Sequence, residues 1–221
     1  MIVNDAAPLE ELSPGLFATP TSRLPYQANV MLRSYVLRRP AGNIVIYNSP
    51  GISESARAIT ALGKPVRLLI NHGHEAMYGH PSIDLPVWVN ARDSAEVGQS
   101  MRIDGVITRR ESLDDDFEMI PTPGHTAGTT SYLWDNGAHR FLFTGDFIWI
   151  EDGQWKAVVL DARLRDEYLE SLRMVRELDF DVLVPWGTTE GGPSIAQVAG
   201  QSEVRDRIDA IISRVAAGGN R

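Results

Sequence analysis

The sequence contains no cysteine, which excludes disulfides and thiolate metal ligands. Any metal site must therefore use histidine, a carboxylate or backbone oxygen. The lack of cysteine also favours a cytoplasmic location over an oxidising compartment. Long apolar runs are absent as well, so no segment is predicted to span a bilayer. Residues 1–12 carry acidic groups but no continuous apolar stretch, so we expect no signal peptide.

Basic residues are fewer than acidic ones, since the sequence has 21 Lys and Arg and 29 Asp and Glu, and the net charge is −8. This balance disfavours nucleic acid as a partner, because neutralising phosphates needs a basic surface. We expect a small-molecule substrate and no nucleic-acid or membrane partner, and a homo-oligomer is left open. The chain is 43% hydrophobic and no low-complexity segment divides it, which predicts one domain over residues 1–221.

Hydrophobic periodicity predicts a strand-rich opening followed by strands that alternate with helices. The predicted strands cover residues 16–19, 30–37, 43–47, 66–70, 87–89, 117–120, 129–134, 140–143, 155–160 and 181–184. The predicted helices cover residues 52–62, 93–99, 161–178 and 204–215. The strand pair at 129–134 and 140–143 reads as a hairpin, because Asp135-Asn136-Gly137 lies between the two strands.

Four of the five histidines follow short apolar strands, namely His72, His74, His80 and His125. Strands that end at one edge of a sheet can direct several side chains to one place. His72 and His74 form a His-x-His pair, and an extended or tightly turned segment places both imidazoles on the same side. That spacing suits two ligands of one metal ion.

Three segments resemble motifs of the metallo-β-lactamase superfamily. Residues 71–79, Asn-His-Gly-His-Glu-Ala-Met-Tyr-Gly, resemble its His-x-His-x-Asp-His-x-Gly stretch. Residues 123–128, Pro-Gly-His-Thr-Ala-Gly, are similar to its Pro-Gly-His-Thr-Pro-Gly motif, and residues 144–146, Thr-Gly-Asp, to its Gly-Asp motif. The order and the approximate spacing of all three agree. The resemblance implies an α/β fold, a four-layer αββα sandwich with a metal site on one edge.

The resemblance also implies which residues bind the metal. In the family, three histidines form a first site, and this chain has His72, His74 and His125 at those positions. Asp146 corresponds to the aspartate that bridges to the second site. We therefore expect His72, His74, His125 and Asp146 to bind one divalent metal, Zn²⁺ in the first place and Fe²⁺ as the alternative.

The second site of the family is incomplete in this sequence. Ala76 replaces the family's aspartate and Met77 replaces its histidine, and neither side chain is a useful ligand for such a dication. Residues 185–188, Pro-Trp-Gly-Thr, occupy the stretch of the late histidine, and residues 48–51, Asn-Ser-Pro-Gly, replace the early Asp-Thr-Gly turn. These changes speak against two-metal hydrolysis.

Three functions remain open. Three neutral imidazoles leave the charge of a dication uncompensated, and a zinc ion so held can lower the pKa of its water to about 7. The preferred function is accordingly a mononuclear metal-dependent hydrolase of a small ester-like, thioester or lactone substrate, with Asp146 as ligand or general base. Two histidines with Asp146 also form the 2-His-1-carboxylate set that suits Fe²⁺ and O₂, as in the persulfide dioxygenases of the same superfamily. The third alternative is a catalytically decayed, metal-free binding protein.

Other polar residues near the motifs have plainer interpretations. His80 is expected at the rim of the pocket and Glu75 in solvent, although either is a possible replacement ligand. Thr188 and Thr189 are expected in a capped loop, with hydrogen bonding to a substrate as the alternative. Trp186 is expected either to line an apolar pocket or to pack in the core.

Overall fold

The structure is a computed structural model that describes residues 5–221. In chain order the strands of these residues are β1 Glu10–Ser13, β2 Leu16–Ala18, β3 Ser22–Arg23, β4 Val30–Leu32, β5 Tyr35–Leu37, β6 Asn43–Ile46, β7 Pro65–Leu69, β8 Val87–Asn90, β9 Gly105–Ile107, β10 Glu111–Asp114, β11 Phe117–Pro121, β12 Thr130–Asp135, β13 Arg140–Phe143, β14 Trp149–Glu151, β15 Gln154–Lys156, β16 Val182–Val184, β17 Gly187–Thr189 and β18 Ala196–Gln197.

The α-helices are α1 Pro50–Glu54, α2 Ala56–Ala61, α3 Ser94–Val97, α4 Arg165–Val175 and α5 Gln201–Ala216. Two 3₁₀ helices, Gly73–Tyr78 and Ala162–Leu164, complete the helical segments of the described chain. None of the helices in residues 5–221 combines the length and the apolar character that a membrane crossing requires.

The strands form three sheets. The first sheet has the order β1-β2-β5-β6-β7-β8-β9, and the second has the order β10-β11-β12-β13-β16-β18. The third sheet, β15-β14-β17-β4-β3, is smaller and combines strands from both halves of the chain. Strand β4 pairs with β17 in this sheet, so the early and the late parts of the chain meet there.

Alternating side chains divide the first two sheets into inner and outer faces. In β6, Ile44 and Ile46 belong to the core between the sheets, whereas Val45 faces the opposite way. In β12, Tyr132 likewise contributes to the inner core and Leu133 to an outer one. Because the side-chain period of a strand is two residues, continuous apolar strands are buried on both faces.

Helices cover both outer faces. The core outside the first sheet contains Ile52, Ile59 and Val97 from the first three helices. The core outside the second sheet contains Leu172 of α4 and Ile208 of α5, among other apolar residues of these helices. The layers are therefore helix, sheet, sheet and helix, which confirms the predicted αββα sandwich.

Most predicted elements are confirmed, with two corrections among the strands. The predicted strand 30–37 is two strands, because Arg33 and Ser34 break the run and β4 and β5 pair in different sheets. The predicted strand 155–160 ends at Lys156, and the following residues leave the sheet. The Val158 carbonyl there accepts a hydrogen bond from the His125 ring instead of from a strand.

Two predicted helices are also interrupted. The predicted helix 52–62 is divided at Ser55 into α1 and α2. The helix expected from Asp161 begins as a 3₁₀ turn, in which the Asp161 carboxylate accepts the backbone N–H of Arg163, and the α-helix follows at Arg165.

Candidate metal centre

Three strand ends of the two large sheets meet at one edge of the molecule. The segment after β7 carries His72 and His74, the segment after β11 carries His125, and the segment after β13 carries Asp146. One ligand nitrogen from each of the three histidines lies within 4.8 Å of the other two, and no other such cluster of His, Asp or Glu occurs in residues 5–221. The structure therefore brings the predicted histidines together.

A buried asparagine determines which nitrogen of His72 is free. The Asn71 side-chain amide donates to the carbonyls of Thr130 and Thr144, at 2.6 and 3.2 Å, so its oxygen must face the other way. That oxygen lies 3.0 Å from His72 Nδ1. Nδ1 must then carry the proton and donate, which leaves the lone pair of His72 on Nε2.

His125 is oriented in the same manner by a backbone carbonyl. Its Nδ1 lies 2.9 Å from the Val158 carbonyl, which can only accept, so His125 Nδ1 donates and Nε2 holds the lone pair. His125 Nε2 lies 3.2 Å from His74 Nδ1. Two nitrogen ligands of a tetrahedral zinc ion are about 3.3 Å apart, given Zn–N bonds near 2.0–2.1 Å. The His74 and His125 rings are thus spaced as two ligands of one ion would be.

Asp146 lies beside two of the three histidines. Its Oδ2 is 3.6 Å from His72 Nε2 and 3.8 Å from His125 Nε2. The preceding Gly145 has a φ of +56°, and a Cβ there would meet the Asn71 side-chain oxygen at 1.8 Å. Only glycine therefore allows the chain to pass Asn71 and present the Asp146 carboxylate to the histidines.

The charge states of the histidines suit metal binding. Burial lowers the pKa of His72, although the Asp146 carboxylate opposes the shift. Burial and the neighbouring His72 lower the pKa of His74, and burial holds the pKa of His125 well below its ordinary value. All three imidazoles are therefore neutral at neutral pH, which is the form that binds a metal. Burial raises the pKa of Asp146, and His72 opposes that rise.

One observation tests directly whether a metal fits these residues. His72 Nε2 is buried and has no hydrogen-bond partner in the described residues. Leaving a buried polar atom unpaired is unfavourable, and an ion shared with His74 and His125 would satisfy that lone pair. Three neutral imidazoles and one carboxylate are also a donor set that suits Zn²⁺ or Fe²⁺. The residues present therefore fit one divalent ion.

The Glu75 side chain holds the loop that carries His72 and His74. The expectation of a solvated carboxylate was wrong, because the side chain is fully buried. Its oxygens accept the backbone N–H groups of Asn48, Asn71 and His72 at 2.7, 2.9 and 3.3 Å. Burial raises the pKa of Glu75 to about 8, while the three amide donors oppose that rise. Nothing in the sequence indicated this role, since Glu75 stands at an unspecified position, x, of the motif.

Asp93 joins the two histidine loops and was missed by the sequence analysis. Its Oδ2 accepts the Gly73 backbone N–H at 2.9 Å and the Thr126 hydroxyl at 2.6 Å, and its Oδ1 accepts the Gly128 N–H at 2.7 Å. Gly73 lies between His72 and His74, and Thr126 follows His125. One buried carboxylate therefore fixes the distance between the two loops.

The positions that belong only to the family's second site carry no metal ligand in this structure. Ala76 is buried in the apolar core outside the first sheet, and Met77 is exposed. His80 is exposed and does not line the cavity beside the centre. Thr188 lies in strand β17, so the expectation of a capped loop was wrong. Trp186 belongs to the inner core, where its indole N–H donates to the Asn48 carbonyl and its ring packs against His72.

A cavity of about 370 Å³ opens onto the centre. His74, His125 and Asp146 line it from the metal side, and most of its remaining lining is apolar. A concave, mostly apolar pocket with a few convergent polar groups is the usual form of a small-molecule site. The candidate centre therefore has room for a substrate beside it.

Comparison with known proteins agrees with the resemblance to the metallo-β-lactamase superfamily. The model of the metallo-beta-lactamase superfamily matches residues 102–187, a region that includes His125 and Asp146. No curated protein gives a significant match. The match to the family model over residues 102–187 and the fold along the described chain both agree with the resemblance in the three motifs.

Solved structures of metallo-β-lactamases share the fold at low sequence identity. The DIM-1 enzyme superposes with a TM-score of 0.65 at 14% identity, over 92% of this chain and 97% of its own. GOB-18 from Elizabethkingia meningoseptica gives a TM-score of 0.59 at 17% identity, over 98% and 92%. A Cronobacter sakazakii metallo-β-lactamase gives 0.62 at 15% identity, over 95% and 98%. At these identities the likeness establishes the fold.

Proposed function

We propose that the protein is a mononuclear metal-dependent hydrolase, with His72, His74 and His125 as ligands of one divalent ion and Asp146 as fourth ligand or general base. The observation that carries the proposal is the convergence of three neutral imidazoles, one of which presents a buried, unpaired nitrogen. The hydrogen bonds of the Nδ1 atoms support the proposal. Asn71 holds the His72 ring and the Val158 carbonyl holds the His125 ring in the orientation that a metal ligand needs.

A bound dication would supply Lewis acidity toward a carbonyl oxygen and toward water. The chain's own groups would do the rest. The three histidines hold the ion, and Asp146 accepts the proton that water loses. The reaction is balanced as hydrolysis: water adds to the carbonyl carbon, the bond to the leaving group breaks, and the leaving group takes up a proton. No redox partner is required.

Zn²⁺ is the ion that this donor set favours. Zinc binds imidazole nitrogen and carboxylate oxygen in four-coordinate geometry, and a catalytic zinc typically has three protein ligands and one open position. Fe²⁺ is the alternative, because two of the histidines with Asp146 also form a 2-His-1-carboxylate set.

The test is hydrolysis by the purified protein of a panel of p-nitrophenyl esters, a thioester and a lactone, with and without a chelator. We expect cleavage that the chelator abolishes and that added Zn²⁺ restores. Asp146→Asn should lower kcat by at least 10²-fold, the range of a lost general base. If this variant retains its metal, Asp146 is the base, and if it loses metal, Asp146 is a ligand.

The same purified protein also tests the two alternative functions. Iron in the purified protein together with O₂ uptake on a persulfide would replace the hydrolase with a dioxygenase. Absence of any bound metal, and no rise in Tm on adding Zn²⁺ or Fe²⁺, would indicate a metal-free binding protein.

A further inference from the structure

Apolar side chains surround Gly187, which stands in the stretch that the resemblance aligns with the family's late histidine. Gly187 lines the cavity together with Asp146. A Cβ at Gly187 would meet Val30 Cγ1 at 3.1 Å and Leu32 Cδ2 at 3.3 Å. The side of the cavity that would hold a histidine thus contacts two aliphatic side chains of β4.

The same character extends around the cavity. Its apolar lining includes Leu24, Val30, Leu32, Trp149, Val158 and Leu160. Leu160 is 61% exposed, and Tyr26, which also lines the cavity, is 68% exposed. Large apolar side chains held at the opening of an apolar cavity are typical of a site that takes an apolar ligand from water.

The lining carries almost no net charge of its own. Its two charged residues are Asp146 and Arg221, which have opposite signs. The exposed Arg221 guanidinium lies 6.0 Å from the centre of the Trp149 ring. The two charged side chains of the lining thus balance each other, and apolar area is the larger source of affinity for the part of a substrate that lies away from the ion.

We propose that the substrate is a neutral carbonyl ester whose acyl group is a medium-length apolar chain, and that the cavity between β4 and Trp149 binds this chain. The proposal rests on the hydrolase function proposed above and names its substrate class. The volume of about 370 Å³ is near the lower end of ligand pockets, which span roughly 300–1,000 Å³. The cavity is therefore suited to a short or medium chain rather than to a long fatty acid.

The first experiment measures kcat/KM for neutral p-nitrophenyl esters from acetyl to octanoyl. We expect kcat/KM to rise about fourfold with each added methylene until the cavity is filled, because burial of a methylene contributes ~0.8 kcal/mol. The pentanoyl ester should also be cleaved faster than the hydrogen succinate ester, which is similar in length but anionic. A flat series, or faster cleavage of the succinate, would overturn the substrate class.

Variants of the cavity wall give a second, matched test. Gly187→Ala adds a methyl group to the cavity wall against Val30 and Leu32 and should lower the ratio of octanoyl to acetyl kcat/KM by roughly tenfold. Leu160→Ser removes apolar area at the opening and should lower the same ratio about threefold. Val106→Ser is the control, because Val106 is 48% exposed but lies on β9, away from the cavity. An unchanged ratio in both cavity variants would contradict the proposal.

A third readout needs neither metal nor catalysis. In chelator-treated protein, N-octylacetamide should raise Tm, whereas N-ethylacetamide at the same concentration should not, since only a ligand that binds the native state stabilises it. If the octyl amide binds but no ester is cleaved with metal present, the hydrolase function is wrong and an apolar binding site remains. If esters are cleaved but the octyl amide does not bind, the hydrolase stands and the substrate class is wrong.

Discussion

Single hydrogen bonds decide how the candidate centre presents its nitrogen atoms. The Asn71 amide donates to two carbonyls, and this fixes the His72 ring with its Nε2 lone pair free. The Val158 carbonyl does the same for His125. Both supports lie just outside the ligands, and such outer hydrogen bonds set the tautomer and raise the basicity of a metal-binding imidazole.

Asp93 offers a test of this arrangement. We predict that Asp93→Ala weakens Zn²⁺ binding by roughly 10–100-fold, because the two histidine loops lose their common acceptor. The variant should also lose about 1–3 kcal/mol of unfolding free energy, since donors are left unpaired. Isothermal titration with Zn²⁺, at a temperature where the variant is folded, measures the first effect.

The matched control for Asp93 is Asp104. The Asp104 carboxylate also accepts a backbone N–H, that of Val87 at the start of β8, but it contacts neither histidine loop. Asp104→Ala should lower stability and leave the Zn²⁺ affinity as in the wild type. Wild-type affinity in Asp93→Ala would show that Asp93 does not position the ligands.

At the residue scale, the sequence predicted the cluster but not its supports. His72, His74, His125 and Asp146 could be placed because each stands in a motif with a recognisable spacing. Asp93 could not, since it looks like the first residue of a short helix and acquires its role only when distant loops fold against it.

Among the elements, one ion-pair cluster connects the two large sheets. Arg39 lies in the turn between β5 and β6, and its almost fully buried guanidinium binds the carboxylates of Asp114 and Asp116 beside β10 and β11. The Arg39 hydrogen bond lowers the pKa of Asp116 below its usual value. The loop of one sheet is thereby tied to a turn of the other.

We predict that Arg39→Met lowers the free energy of unfolding by about 1–3 kcal/mol near neutral pH, because the two partly exposed carboxylates lose their buried partner. Since the folded-state pKa of Asp116 is depressed, its stabilising contribution is present above the unfolded value of about 3.9. It is lost as the pH falls through the lower folded value. Urea unfolding at several pH values measures the difference between variant and wild type, which should shrink below about pH 4.

Arg163→Met is the control for Arg39→Met. Arg163 also pairs with an aspartate, Asp161, but its side chain is 90% exposed. Exposed pairs contribute little to stability, so this variant should be close to the wild type at every pH. An Arg39→Met variant as stable as the Arg163→Met control would contradict the role of the Arg39 cluster.

The sequence predicted most elements but not their pairing. Residues 30–37 form one apolar, strand-like run, and nothing local shows that β4 turns to β17 while β5 joins the first sheet. The third sheet was missed for the same reason, because its short strands are far apart in sequence and pair only in the folded chain. That sheet matters for function, since β4 and β17 form one wall of the cavity.

For the whole molecule, the layered architecture was predictable, and the edge at which the candidate centre lies followed from it. Continuous apolar strands require cover on both faces, and amphipathic helices supply that cover. The resemblance in three motifs named the family, and the family match and the fold agree with it. One domain over residues 1–221 and a cytoplasmic location stay predictions.

The most direct test of the central claim is the metal content of protein purified without chelators. We predict about one Zn²⁺ or Fe²⁺ per chain in the wild type and in His80→Ala, whose exposed imidazole lies outside the cluster. His72→Ala and His125→Ala should retain little metal. After a chelator has removed the metal, Zn²⁺ added at about a hundred times its Kd should raise Tm by roughly 5–10 °C only in the wild type and in His80→Ala. Equal and negligible metal in all four proteins, with no change in Tm, would contradict the account.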